Sequence, residues 1–133
     1  MRSKDPGRMK NPATSGRTLD QVAARYEWPD EPRRFVTVES RNGDNDTLLH
    51  LAAFKGNLDD VRDLLRLGSD ANSKGDLGHT PLHFAAMANH RSIVDALIFA
   101  GASRKLRNEW GQTAAETAEA SGHHALSSVI RKG

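Results

Sequence analysis

The chain has 133 residues, 37% hydrophobic and 27% charged, the balance of one folded domain with a polar surface. It has no cysteine, which excludes disulfides and thiolate zinc sites, and its longest apolar run falls far short of the ~20 residues of a membrane span. The net charge of +2 is uneven: five basic residues and one acid lie within the first 18, leaving 14 basic and 16 acidic residues beyond, so the body lacks the cationic face that nucleic acid binding demands.

Residues 1–15, MRSKDPGRMKNPATS, mix charge, Gly, Pro and Ser without apolar periodicity, and are expected to be a flexible basic tail. No apolar stretch of a secretory signal follows, so the expected location is cytoplasmic.

Two readings of residues 16–41 stand. GRTLDQVAA, Gly16 to Ala24, shares a G-x-T-x-x-x-x-A-A pattern with later segments, and places Phe35 and Val36 on columns that Leu64–Leu65 and Leu97–Ile98 hold there. That favours a degenerate, shortened unit, although Pro29 and Pro32 fall where its second helix begins. The alternative is an unrelated helix from Thr18 to Tyr26, with Thr18 and Gln21 as a capping box, then a strand through RFVTVES.

From residue 42 onward the text repeats. NDTLLHLAAFKGNLDDVRDLLRLGSDAN, GHTPLHFAAMANHRSIVDALIFAGAS and GQTAAETAEASGHHALSSVI align with Thr47, Thr80 and Thr113 at 33-residue spacing. Gly68 and Gly101 repeat at that distance, and Asn45, Gly78 and Gly111 share a column. In each unit the threonine caps a short helix, Pro81 occupies a first helical position where its missing N–H is harmless, and paired alanines let a neighbouring helix approach. A second helix follows, with Leu58, Val61, Leu64 and Leu65 in one unit and Ile93, Val94, Leu97 and Ile98 in the next. Gly68 and Gly101 are expected to end those helices in the left-handed region.

Chemistry is sparse. His79 and His83 would ligate zinc only if both faced one helical side, but the register puts His79 in a turn and His83 inside a helix, and spacing fixes no third ligand. There is no nucleophile elbow and no phosphate-binding glycine loop, so neither catalysis nor a cofactor is expected. Asp59, Asp60 and Asp63 are expected to be the solvated face and first-turn dipole partners of a second helix.

Units of 33 residues bearing TPLHFAA and a closing Gly-Ala-Ser resemble ankyrin repeats. The resemblance implies an all-α solenoid of helix-turn-helix units joined by β-hairpin-like loops. Its units are 42–74, 75–107 and 108–133, the last a C-terminal cap in which TPLH becomes TAAE. It further implies that His50 and His83 bond backbone near the hairpins and tie units together, and that His123 and His124 belong to the scaffold.

The resemblance also implies a concave face for a protein partner, made of hairpin tips and first-helix edges. Its positions here are Asp44, Asp46, Asp76, Leu77, His79, Glu109, Trp110 and Gln112 on hairpins, Phe54, Lys55 and Met87 on helices, and Lys74 and Arg107 beside the hairpins. Phe54, Leu77, Met87 and Trp110 are large and apolar where the scaffold does not demand it, and charged residues surround them, as in an interface with an apolar centre. The expected function is non-enzymatic protein binding by a chain that is monomeric alone and binds neither nucleic acid nor membrane. A narrower version is a bacterial immunity protein or the partner of a secreted effector. The alternative is a scaffold that self-associates, with Phe99 as a candidate patch.

Overall fold

The computed structural model describes residues 16–26 and 37–132. Its helices are α1 Leu19–Ala23, α2 Leu48–Lys55, α3 Leu58–Arg66, α4 Pro81–Met87, α5 Arg91–Phe99, α6 Ala114–Ala120 and α7 His124–Lys132, with a 3-10 turn at Asp76–Gly78. No strand occurs among the described residues. The expected tail, the prolines Pro29 and Pro32, and Phe35 and Val36 lie outside them. The alternative strand through RFVTVES is corrected at its described end, where Ser40 N–H donates to Thr37 O at 3.1 Å and closes a turn.

Each first helix starts from a reciprocal cap. Thr47, Thr80 and Thr113 accept the N–H three residues on, and the side chains of His50, His83 and Glu116 return a bond to the threonine N–H at 3.1, 3.1 and 2.9 Å. Histidine serves the cap through Nδ1 and leaves Nε2 to reach further. His50 Nε2 bonds the carbonyls of Ser73 and His79, and His83 Nε2 bonds that of Gln112, each in the next unit. The change from TPLH to TAAE now has a physical reason: no hairpin follows the third unit among the described residues, and a carboxylate suffices for the cap. A parallel ladder joins the helix–helix breaks, where His90 and His123 bond the carbonyls of Phe54 and Met87 at 3.1 Å.

Stacking buries the apolar columns. First helices pack on one another, α2 on α4 and α4 on α6, and the second helices α3 and α5 do likewise. Leu49, Ala52, Ala53, Val61 and Leu64 in one unit, and Leu82, Ala85, Ala86, Val94 and Leu97 in the next, are wholly buried. Each large aliphatic among them contributes on the order of 2 kcal/mol by leaving water. Gly68 and Gly101 end α3 and α5 with φ of 105° and 99°, the left-handed backbone expected of them.

The N-terminal segment caps this stack. α1 packs on α3, a second helix, rather than on a first helix as the repeated units do. Val22, Ala23 and Tyr26 are buried there. Asp60 is not solvated, contrary to the sequence expectation: it is 1% exposed beneath this segment. It accepts from Tyr26 Oη at 2.6 Å and Arg25 Nε at 3.1 Å, and pairs with Arg17, which also reaches Asp63 at 2.8 Å. Burial and the bond to Asp60 push the Tyr26 hydroxyl far above its usual range. A carboxylate can leave water here because three donors converge on it.

Candidate functional site on the hairpin and first-helix face

Three loops are each closed by one backbone bond: Asn42 N–H to Asp46 O, Gly75 N–H to His79 O, and Asn108 N–H to Gln112 O, at 2.8 to 2.9 Å. In the outer two an asparagine organises the tip. Asn42 Oδ1 accepts from the N–H groups of Asp44 and Asp46, and Asn108 Oδ1 from those of Trp110 and Gln112.

The middle loop is built differently. Gly75 replaces the asparagine, and the Asp46 carboxylate of the preceding loop accepts Asp76 N–H at 2.9 Å. A Cβ at position 75 would lie 2.2 Å from that carboxylate oxygen, so the carboxylate fits only over glycine. Both central residues of the turn are then left-handed, Leu77 at φ 56° and Gly78 at φ 76°, with His79 N–H bonded to Asp76 O at 3.0 Å. Leucine is a costly choice at such a φ, yet Leu77 stays 42% exposed.

Behind the tips runs a continuous row of rings. Phe54 meets Phe84 edge-on at 5.8 Å between centroids, Phe84 meets His79 at 5.2 Å, and His79 meets Trp110 at 5.8 Å. The row crosses three units from α2 to the third loop, with Phe54 53% and Trp110 63% exposed. Leu77 joins through its carbonyl, which accepts Glu109 N–H at 3.0 Å and ties the second loop to the third.

The thirteen residues singled out from the sequence divide on this face. Phe54, Leu77, Trp110, Asp44 and Glu109 are exposed, while Met87, Asp76 and Gln112 are half-buried. Asp46 and His79 are corrected as contact residues: both are 6% exposed, one bonded to the next loop and the other sandwiched between rings. Burial raises the Asp46 pKa and lowers that of His79, so the aromatic row is uncharged at neutral pH.

Three cations are already engaged. Lys55 Nζ stands 5.0 Å over the Tyr26 ring, Lys74 Nζ donates to Arg107 O at 2.9 Å, and Arg107 Nη1 bonds Gly111 O and Glu116. The charges left at the tips are therefore acidic: Asp44, Asp76 and Glu109.

Phe84 was missed as a site residue. It shares a column with Leu51 and Thr117, so its size is the only signal in the sequence. Among the described residues no cluster of His, Asp or Glu is arranged to hold a metal ion, and no helix there is long and apolar enough to cross a membrane. What the face offers chemically is a rigid apolar strip with acidic tips.

The family model of ankyrin repeats, in three copies, matches residues 49–132, more than half of the chain. No curated protein matches it.

Proposed function

The chain belongs to the ankyrin-repeat family, whose repeats build protein–protein interaction modules, and from that premise we propose that it binds a protein partner through the row Phe54, Phe84, Leu77 and Trp110. The observation that carries this reading is the continuity of the row across three units, with its two ends more than half exposed. An apolar strip held by stacked units loses little conformational entropy on docking, and aromatic anchors dominate such interfaces. The test is Trp110→Ala, which weakens the partner by ~2 kcal/mol or more while circular dichroism is unchanged; unchanged affinity with the fold intact overturns the reading. A narrower form, in which the partner is a toxin or a secreted effector and the chain its immunity protein or companion, is checked by whether a neighbouring gene encodes one.

A second reading, self-association, is favoured by Phe99. It is 94% exposed on α5 and stands beside a hollow formed with Leu65 and Ala96. Light scattering at high protein concentration decides it, because a monomer there excludes it.

A further inference from the structure

At the far end of the stack a column changes its residue. Leu49 and Leu82 are wholly buried in their units, and the equivalent position 33 residues on is Ala115. The leucine side chain that would fill that place is missing. A hollow of about 630 Å³ opens there, between the loop after α5 and the pair α6 and α7. Its floor is apolar, made by Ala102, Ala115 and Ile130. The volume lies within the range of sites that hold small organic ligands.

The rim is cationic. Arg104, Lys105 and Arg131 line it, and none of the three has an ion-pair partner among the described residues. Arg104 takes the column held one unit earlier by buried Ala71, so a guanidinium stands where that unit has a methyl group. Its Nε is shielded from solvent and has no hydrogen-bond partner among the described residues. A buried donor of this kind calls for an acceptor. The one carboxylate in the lining, Glu116, is already occupied by Thr113 N–H at 2.9 Å and by Arg107.

From the empty leucine position and the unpartnered Arg104 beside it, we infer that this hollow binds a carboxylate that carries a short branched apolar group. The apolar body occupies the space above Ala115, and the carboxylate accepts from Arg104 with Lys105 and Arg131 nearby. An inorganic anion would leave the apolar floor in contact with water, and a neutral apolar ligand would leave Arg104 Nε unsatisfied. The carboxylate has two possible sources, a free organic acid or the last residue of a peptide chain.

The test is titration of the full chain with 4-methylpentanoate, followed by nuclear magnetic resonance at the amides of Ala102, Ala115 and Ile130. Saturable shifts are expected, with 4-methylpentanamide binding about tenfold more weakly because it cannot form the charged bond. Ala115→Leu fills the hollow and removes the shifts. Arg104→Gln, which leaves the packing of the stack intact, weakens the acid about tenfold and the amide little. A tripeptide ending in a free leucine carboxylate, compared with its amidated form, divides the sources: either order of affinity between tripeptide and free acid supports the site. Absence of saturation by both carboxylates, equal binding of acid and amide, or full binding by Ala115→Leu overturns it.

Discussion

Leu77 sets local stability against recognition within one residue. Its left-handed φ of 56° costs an L side chain on the order of 1 kcal/mol, a cost glycine avoids. Leu77→Gly is therefore expected to hold or raise the urea midpoint by up to about 1 kcal/mol while weakening the partner. A variant that loses stability and keeps affinity would assign the leucine to the scaffold. His50 makes a different kind of statement. Burial lowers its pKa from 6.5 to about 4, and burial lowers that of His83 as well. Thr47 N–H points at Nδ1 of His50, so the imidazole cannot take a proton there without breaking the cap. The folded state thus prefers the neutral ring while the unfolded chain binds protons more readily. Stability is complete above about pH 6.5 and falls as the pH drops toward 4, by about 3 kcal/mol for His50 at full development. Asp46, whose pKa burial raises, works in the opposite direction over part of that window. Urea midpoints at about pH 7 and pH 4.5 check this, and in His50→Gln the dependence becomes shallower.

At the scale of the element, the middle loop and the N-terminal cap are the parts that propensity alone does not explain. The loop depends on a carboxylate borrowed from its neighbour and on the absence of a side chain at Gly75. Gly75→Ala is expected to destabilise the protein by about 1–3 kcal/mol, because the new methyl group displaces Asp46. Unchanged unfolding would show that the loop tolerates rearrangement. Docking of α1 rests on Asp60 below Arg17, Arg25 and Tyr26. Asp60→Ala is expected to cost about 2 kcal/mol, less than for a fully buried pair because both guanidinium groups remain partly exposed. Amide exchange at Val22 and Ala23 should accelerate in that variant, and exchange at α4 should not. The sequence carried the threonine caps, the paired alanines and the helix-ending glycines, because each is a local rule repeated at a fixed spacing. It did not carry the burial of Asp60. An acid in the first turn of α3 looks like a dipole partner until Tyr26 and two arginines are folded over it.

At the scale of the whole molecule, stacking converts the 33-residue spacing into geometry. Columns that close the core are occupied by Leu, Val and Ala and are buried, so the fold was legible from the repeat. Columns on the open face were legible only as positions where a large apolar residue has no structural reason to be. Phe54, Leu77 and Trp110 satisfied that test, whereas Phe84 satisfied it only when seen between Phe54 and His79. Asp46 and His79 failed it because ladders between units run through the same loops as the exposed tips, and spacing cannot separate the two. The engaged state of Lys55, Lys74 and Arg107 has the same origin.

The central claim is that the aromatic row, and not the back of the stack, meets the partner. The most direct measurement recovers the partner by affinity capture and then compares its Kd for the unaltered chain, for Trp110→Ala on the row, and for Phe99→Ser on the opposite helices. The account predicts a loss of about thirtyfold for Trp110→Ala, the equivalent of ~2 kcal/mol, and no change for Phe99→Ser. Equal binding by Trp110→Ala, with the loss falling on Phe99→Ser, would contradict it.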